Sequence, residues 1–394
     1  MTQLPQDCAL DIGAFSRLFK NTTNSYKFLF FFALLEALHQ RATNNALDDS
    51  TYSLRAMIVG MLRFSWYPHR YFQLSFGAQD QVAKTLSRFQ YPLNENAITH
   101  PDTAARLAAA IEAQFEAIGA ARLGRYVPYR LLSPFLEQQL RGQPDNRRNC
   151  LIVELARESF AANEFAHADI LHVAEERPVY GSASAASHLP VLYCFTEDEQ
   201  SIVLHAEWQR YLLKNYSIVK GWALYEWAHF LQKRNPNSPS ILNKIEPPIT
   251  RQPLTLPTDY WRGVMEHSPV YCIYSGALLN DQRFEVDHFI PWSFICHDEI
   301  WNLIPASPEA NSSKGRGLPT AQHVDLFVES HINALRIQKN RANKTHWRRI
   351  ARHYIEGLSL EEEALLEPEL VRQAYQNKLN PLLSLARNLG FSVM

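Results

Sequence analysis

The segment Phe284–Lys314 constrains this chain more than any other stretch of its sequence. It reads FEVDHFIPWSFICHDEIWNLIPASPEANSSK and begins with a short β-prone run that carries the adjacent pair Asp287 and His288. Asn302 follows the histidine by fourteen residues, and Asn311 follows by a further nine. Because neighbours on a strand point to opposite faces of a sheet, the side chains of the aspartate and the histidine can contact two different partners. The order predicts a pair of strands, a loop and then a helix, built around polar side chains.

The end of this segment carries the signals of a short helix. Ser307 is a preferred N-cap residue, and the proline and glutamate that follow it suit the first turn of a helix. Lys314 comes three residues after Asn311 and therefore lies on nearly the same helix face. Gly315 then predicts the end of the helix.

These residue types suit the hydrolysis of a phosphodiester bond. The reaction needs a base that takes a proton from water, and a neutral imidazole serves that purpose near neutral pH, so His288 is the candidate base. It also needs a hard divalent cation to neutralise the charge that develops around phosphorus, and such cations prefer carboxylate, amide and water oxygens. Asp287 and Asn311 supply one carboxylate and one amide.

Asn302 and two basic residues complete the candidate site. The amide of Asn302 can bond backbone groups on both sides of its loop, which gives it a structural role within the catalytic set. We predict phosphate contacts for Lys314 and Arg316. For Lys314, an ordinary solvated charge explains the same position equally well.

Residues 271–319 resemble the ββα-metal fold of HNH endonucleases, and most closely the HNH domain of CRISPR-associated RNA-guided DNA nucleases. The shared features are a V-D-H-[IF]-[IV]-P run, a Ser-Phe pair after it and the spacing of the two asparagines. The resemblance implies that His288 is the general base and that Asn302 fixes the loop. It also implies that Asp287 and Asn311 hold a single Mg²⁺ or Mn²⁺ ion, and that the products carry 5′-phosphate and 3′-hydroxyl ends. We find no RuvC-like nuclease halves in the sequence, so we do not expect an RNA-guided nuclease of that type.

One departure from the HNH pattern concerns zinc. Many HNH proteins bind a structural zinc through two CxxC pairs, whereas this chain has Ser275 three residues after Cys272. Serine does not replace a thiolate ligand of zinc, and Cys296 stands alone. We therefore expect no zinc, with apolar packing in its place by four side chains: Tyr271, Ile273, Phe284 and Trp292.

Because the chain as a whole is nearly neutral, any binding of nucleic acid must come from a local cluster of basic residues. The 394 residues include 39 basic and 40 acidic ones, for a formal net charge of −1. A basic cluster is predicted between residues 313 and 350, where eight basic residues accompany two acidic ones. A duplex-binding face and a solvated surface explain this cluster equally well. Its members are Lys314, Arg316, Arg336, Lys339, Arg341, Lys344, Arg348 and Arg349.

Cysteine usage and hydropathy indicate the compartment. The five cysteines are scattered and odd in number, which predicts reduced thiols in a cytoplasmic protein. The N-terminus has no basic run followed by a long apolar core, so no export signal is expected. The most apolar run, Phe28–Leu38, has about half the length that crosses a bilayer and predicts a buried helix.

The predicted fold class is mainly α with a small α+β part. Residues 1–173 are predicted to form a helical N-terminal domain, and residues 174–256 a mixed middle segment with a basic Pro/Asn-rich linker. Residues 257–394 are predicted to form the HNH nuclease domain, wrapped by C-terminal helices. A β-hairpin is predicted from Leu189–Phe195 and Ser201–His205. Predicted helices include Tyr26–His39, Thr103–Ile118, Tyr129–Leu140, Asn146–Phe160, Ala321–Arg336, Lys344–Ile355 and Glu361–Gln376.

The function predicted from these features is metal-dependent cleavage of double-stranded DNA. Defence of a bacterium against phage or foreign DNA is the setting that analogy suggests, with a homodimer or a defence-system protein as partner and no membrane association. Two alternatives stay open from the sequence. One is an RNA- or tRNA-cleaving toxin with the same metal centre, and the other is a nucleic-acid-binding subunit whose site is inactive.

Overall fold

The computed structural model describes residues 4–20, 22–92, 103–170, 189–247 and 253–394, without the side chains of residues 163–170. These residues form two compact units. The N-terminal unit comprises the described residues of Met1–Arg70, Ser75–Leu93 and His100–Arg234, and the C-terminal unit comprises those of Tyr71–Leu74 and Asn235–Met394. Both units are mainly helical with a small sheet, which confirms the predicted fold class at that level. The predicted three-part division of the chain stays a prediction.

The N-terminal unit packs helices around one strongly apolar helix. Residues Phe28–Leu35 of α2 are all buried, as predicted, because this helix has packing partners on every side. None of the helices within the described ranges is both long and apolar enough to cross a membrane. The helices are α1 (Ile12–Ser16), α2 (Tyr26–Thr43), α3 (Leu54–Trp66), α4 (Gln81–Leu86), α5 (Thr103–Ala113), α6 (Val127–Leu132), α7 (Asp145–Ile170), α8 (Ala206–Lys214) and α9 (Tyr216–Arg234).

A three-stranded antiparallel sheet completes this unit. Strands β2 (Tyr193–Phe195) and β3 (Ser201–Leu204) form the predicted hairpin across an acidic turn, which confirms that prediction. Strand β1 (Thr51–Ser53) pairs with the other edge of β3. The sheet therefore connects two segments that lie about 150 residues apart in the sequence.

Three predicted helices have the wrong extent. The helix predicted over Tyr129–Leu140 ends at Leu132, because Pro134 follows and cannot donate a backbone hydrogen bond. The helix predicted over Thr103–Ile118 ends at Ala113. The helix predicted over Glu361–Gln376 is replaced by a 3₁₀ turn and then by α15.

The basic linker, predicted over residues 233–257 with Lys244 among its basic residues, also needs correction. Its side chain is fully buried, and its ammonium donates to the Ser238 hydroxyl at 3.0 Å and to the Phe294 carbonyl at 2.6 Å. Burial lowers the pKa of Lys244 to about 8. Lys244 therefore belongs to the core of the C-terminal unit and not to a solvated linker. Arg251, another basic residue of the predicted linker, lies outside the described residues.

The C-terminal unit surrounds a two-stranded sheet with helices. Helices α13 and α14 are confirmed near the predicted positions, and α15 begins at Pro368, a residue type that suits a helix start. The elements are α10 (Thr255–Met265), β4 (Glu285–His288), α11 (Trp292–Ile295), β5 (Leu303–Ala306), α12 (Pro308–Lys314), α13 (Ala321–Arg341), α14 (Lys344–Leu358) and α15 (Pro368–Asn388).

One close approach fixes α14 against the loop between the two strands. An added Cβ at Gly357 would lie 2.1 Å from the Trp301 ring, so only glycine permits this contact. Trp301 is itself only 1% exposed and belongs to a single core that extends from Tyr260 on α10 to Phe391. The helices after residue 320 are therefore part of the same core as the sheet.

The packing predicted in place of zinc is observed for three of its four side chains. Ile273 is buried, Phe284 packs against the core, and the Trp292 ring lies 6.2 Å from the Phe72 ring. The prediction is wrong for Tyr271, which is 56% exposed. The backbone of Tyr271 pairs with Leu278 in an isolated bridge, and the side chain of Leu278 is exposed as well.

Candidate active site

The site is built on β4, β5 and α12. The two strands are antiparallel, with Asp287 opposite Ile304 and His288 opposite Leu303. Helix α12 begins as predicted, because the Ser307 side chain accepts a hydrogen bond from the Ala310 N–H, and it ends at Gly315, whose φ is +50°. Two strands followed by this helix match the order that the sequence predicts.

Helix α12 contacts one face of β4 through two polar pairs. Glu285 and Asp287 alternate on the strand and therefore share a face. The Asn311 amide donates to Glu285 Oε2 at 2.7 Å, and the Lys314 ammonium contacts Asp287. Because Asn311 and Lys314 are three residues apart on α12, the two pairs hold the helix in register with the strand.

The Asp287 carboxylate is buried and already carries two donors. Lys314 Nζ lies 3.1 Å from Oδ1 and 3.0 Å from Oδ2 of Asp287, and the Tyr274 hydroxyl donates to Oδ2 at 2.6 Å. Burial and the neighbouring carboxylate hold the pKa of Tyr274 well above its usual range, so the phenol stays protonated and donates.

Lys314 lies at the centre of this arrangement. Its side chain is fully buried, and its ammonium donates to the His288 carbonyl at 2.8 Å as well as to Asp287. The reading of Lys314 as a solvated charge is therefore wrong. In this arrangement the ammonium faces Asp287 instead of the solvent, and its contact with a substrate phosphate stays a prediction.

His288 points away from Asp287 and has a carboxylate of its own. Its Nε2 lies 2.7 Å from Asp298 Oδ1, and the imidazole is 9% exposed while Asp298 is 32% exposed. A carboxylate only accepts, so in the neutral imidazole this contact places the ring proton on Nε2 and the lone pair on Nδ1. The adjacent aspartate and histidine thus have separate partners, as expected for neighbours on a strand.

The loop that carries Asp298 is held by the C-terminal helices. His353 on α14 contacts the Glu299 carboxylate through Nδ1, and the Tyr375 hydroxyl on α15 donates to the Trp301 carbonyl at 3.1 Å. The hydrogen bond from His353 lowers the pKa of Glu299, opposed by burial. These contacts fix the residues directly after Asp298.

Asn302 connects the two sides of the same loop. Its Oδ1 accepts from the Ile290 N–H at 2.9 Å, and its Nδ2 donates to the Ile290 carbonyl at 3.0 Å. The side chain is completely buried, so both amide groups are used within the protein. Asn302 therefore acts on the backbone just after β4, and its place in the catalytic set stays a prediction.

Arg316 is held by groups of the C-terminal unit. Its Nε donates to the Ser293 hydroxyl at 3.2 Å, and its Nη2 donates to the Tyr71 carbonyl. The guanidinium lies 4.8 Å from the centre of the Tyr71 ring, a cation–π distance. These contacts position Arg316 within the fold, and its predicted phosphate contact stays a prediction.

The turn at Cys272 keeps a compact shape. The Gly276 N–H donates to the Cys272 carbonyl at 2.8 Å, and Gly276 has φ +72°, which favours glycine. Burial raises the pKa of the Cys272 thiol, but hydrogen bonds from Ser275 and from backbone N–H groups outweigh it and the net shift is downward. Ser275 thus hydrogen-bonds the sulfur from the position where a second thiolate would lie. The expectation that no zinc binds stays an expectation.

A comparison with known protein families finds a match in the same segment. Residues 272–320 match the HNH endonuclease family. The match contains every residue of the candidate set and covers about an eighth of the chain. No curated protein and no solved structure matches the chain. The match supports a nuclease that acts on nucleic acid, and we refer to residues 272–320 as the HNH segment.

The oxygen atoms that the HNH segment offers as ligands are of the kinds that a hard divalent cation prefers. Asp287 offers a buried carboxylate, and the Lys314 ammonium beside it shows that this position stabilises a positive charge. Asn311 and Glu285 add oxygen donors on the same face of β4. Among the described residues, no group of three or more His, Cys, Asp or Glu side chains is arranged to hold a metal ion, so a cation here depends on amide and water oxygens as well.

Three residues of the site were missed from the sequence. Asp298 lies ten residues after His288, and its contact depends on the path of the loop. Tyr274 precedes the strand by a turn and offers no motif. Glu285 was detectable, because it stands two residues before Asp287 and must share its face of the strand.

Proposed function

We propose that this chain is a divalent-metal-dependent endonuclease that hydrolyses phosphodiester bonds of double-stranded DNA. The observation that carries the proposal is the pairing of His288 with Asp298 on one side of β4, with the buried Asp287 carboxylate on the other side, inside the HNH segment. The similarity to the HNH domain of CRISPR-associated nucleases and a role in defence against phage or foreign DNA belong to the same proposal. So does a homodimer or a partner protein of a defence system.

His288 acts as the general base in this proposal. Asp298 keeps the imidazole proton on Nε2, so Nδ1 accepts the proton of the attacking water. Asn302 keeps the backbone at Ile290 in place and thereby orients the end of β4. Asp287 and Asn311 hold the cation, which, when bound, stabilises negative charge at phosphorus and at the leaving oxygen.

Exposed basic residues on α14 support a nucleic acid as substrate. Lys344, Arg348 and Arg349 are exposed, and they come from the predicted basic cluster. Other members of the cluster are neutralised: Lys339 pairs with Glu362, and Arg341 pairs with Glu266. The set that remains for phosphates is therefore smaller than the sequence count suggests, and it consists of the three α14 residues together with the exposed Arg336 on α13.

Substitution of His288 by alanine tests the proposal. We expect the purified protein with Mg²⁺ to cut labelled double-stranded DNA, and His288→Ala to lower the rate by about 100- to 10,000-fold, the usual contribution of a general base. Circular dichroism and DNA binding should be unchanged, because the imidazole is not part of the apolar core. His229→Ala, at an exposed position on α9, is the matched control and should cleave normally.

The substrate panel distinguishes the alternatives. Wild type, His288→Ala and His229→Ala are incubated with duplex DNA, single-stranded RNA and tRNA in Mg²⁺ and in Mn²⁺. Cleavage of RNA or tRNA alone would replace the DNase proposal with the toxin alternative. Binding without cleavage of any substrate would support the inactive subunit, and equal cleavage by wild type and His288→Ala would remove His288 as the base.

A further inference from the structure

The buried ion pair of Lys314 and Asp287 lies where the proposed function requires a divalent cation. The lysine side chain has no exposed surface, and Asp287 has 7%. The ammonium has three donors, and its contacts are both Asp287 oxygens and the His288 carbonyl. The carboxylate of the predicted metal ligand is thus neutralised by a cation that belongs to the chain itself.

Simultaneous binding of the Lys314 ammonium and a divalent ion to the Asp287 carboxylate is energetically unfavourable. Lys314 touches both oxygens, and the Tyr274 hydroxyl takes a further lone pair of Oδ2. A metal ion bound to either oxygen would lie within a few ångströms of the ammonium in a buried site, where repulsion between positive charges is strong. Occupation of Asp287 by one cation therefore opposes occupation by the other.

We propose that Lys314 is the resident cation of Asp287, that a divalent metal ion displaces it, and that the released ammonium then contacts the substrate phosphate. This inference rests on the proposed nuclease function. It assigns Lys314 two positions: against Asp287 without metal, and on the nucleic-acid backbone with metal. The phosphate contact predicted from the sequence then belongs to the second position.

The place of Lys314 in the fold suits such an exchange. It is the last residue of α12, and Gly315 and Gly317 follow it. The start of the helix is fixed by the Ser307 cap, and the Asn311 amide bonds Glu285. The lysine can therefore swing on its four-carbon stem while the rest of α12 stays against β4.

The sign of a metal-affinity change tests the competition. We expect Lys314→Ala to bind Mn²⁺ at least about tenfold more tightly than wild type, because the buried Asp287 carboxylate loses the ammonium that competes with the metal ion. Free Mn²⁺ is counted by electron paramagnetic resonance with the full-length protein. Lys339→Ala, which removes a lysine paired with Glu362, should bind Mn²⁺ as wild type does. Unchanged or weaker binding by Lys314→Ala would overturn the inference.

Two further variants separate failure of the inference from failure of the proposed function. Asp287→Asn should lose Mn²⁺ binding; if it binds normally, Asp287 is no metal ligand and the proposed metal site itself fails. Lys314→Gln keeps a hydrogen-bond donor without the charge. It replaces Lys314→Ala in the Mn²⁺ binding experiment if Lys314→Ala does not fold. It too should bind Mn²⁺ more tightly, and its melting temperature should rise more on addition of Mn²⁺ than that of wild type.

The salt dependence of DNA binding tests whether Lys314 contacts a DNA phosphate once a metal ion has displaced it from Asp287. His288→Ala and the double variant His288→Ala/Lys314→Ala are compared, so that the DNA stays intact. In EDTA the two should give the same slope of log affinity against log salt, because Lys314 is bound to Asp287. In Mg²⁺ the slope of the double variant should be smaller by about 0.9, the value for one phosphate contact. Equal slopes in Mg²⁺, or a difference already in EDTA, would contradict the exchange.

Discussion

The contact between His288 and Asp298 decides how the imidazole is oriented. An imidazole on a strand end can rotate, and either of its nitrogens can carry the proton. The 2.7 Å contact of Nε2 with Asp298 Oδ1 fixes both the rotation and the proton position. Asp298 contacts Nε2 and not Nδ1, so in the proposed mechanism any effect of Asp298 on catalysis passes through His288.

Substitution of Asp298 should therefore lower the turnover number and leave the substrate affinity unchanged. We expect Asp298→Ala to reduce kcat by about 10- to 100-fold, the usual loss when a supporting partner of a site residue is removed. Asp298→Asn should reduce kcat less than Asp298→Ala does, because its amide oxygen still accepts a hydrogen bond from Nε2. Steady-state kinetics on duplex DNA measure both constants, and ¹⁵N chemical shifts of the His288 ring report the proton position.

The control for this prediction is Asp281→Ala, at an exposed position before β4. It should behave as wild type in both measurements. A rise in KM with unchanged kcat for Asp298→Ala would indicate that Asp298 contacts the substrate directly. Unchanged ring shifts in Asp298→Ala would show that it does not set the proton position of His288.

The sequence supplies the candidate residues of the site, and some of their contacts follow from it, but others do not. Asp287 and His288 are adjacent on a strand, so separate partners follow from strand geometry alone. The amide of Asn302 was expected to bond backbone, and it bonds Ile290. The burial of Lys314 could not be predicted, because it depends on how closely α12 approaches β4, and a lysine in a short polar helix usually faces solvent.

At the scale of single elements, α13 carries a buried histidine that predicts acid sensitivity. His331 is completely buried, and its Nδ1 contacts the Tyr354 hydroxyl at 2.8 Å. Burial lowers the pKa of His331 to about 3, whereas an unfolded histidine has a pKa near 6.5. The unfolded chain therefore binds the extra proton between these values, and stability falls as the pH drops below 6.5.

We expect this one group to reduce the free energy of unfolding by about 2 kcal/mol between pH 7.5 and pH 5. His331→Leu should lose that part of the pH dependence, although it is less stable at both pH values because Tyr354 keeps its hydrogen bond to Tyr260 but loses the one to His331. Urea unfolding at the two pH values measures the difference. Leu379→Ala, a substitution at a buried position of the same core on α15, should keep the wild-type pH dependence. If the stability of His331→Leu changed with pH as much as that of wild type does, His331 would not be the group that takes up a proton on unfolding.

Element boundaries follow local sequence signals only where the signal is strong. The cap at Ser307 and the glycine at 315 set both ends of α12, and both are evident in the sequence. The helix predicted over Glu361–Gln376 starts late because Pro368 favours the first turn of a helix over its interior. Apolar periodicity gives the helix and its face, but it does not give the residue at which the helix starts.

At the scale of the whole molecule, the HNH segment depends on residues outside it. The Trp261 indole on α10 donates to the Leu303 carbonyl at 3.0 Å, and the Tyr375 hydroxyl on α15 donates to the Trp301 carbonyl. The apolar core that covers the sheet includes Phe327 and Tyr354, which also come from beyond residue 320. The sequence indicates the nuclease segment, but a family pattern does not show which distant helices complete its core.

A fragment of residues 272–320 should therefore not fold alone. It has fewer than the roughly 70 residues at which one apolar core usually suffices, and its sequence has no CxxC pair that would let a zinc ion replace the missing packing. We expect a disordered circular dichroism spectrum and no cooperative thermal transition, with or without Mg²⁺. The fragment 235–394 contains α10, the sheet and all three C-terminal helices, and it should unfold cooperatively. A cooperative transition of the short fragment would show that the segment holds its own core and that the helices after residue 320 serve another purpose.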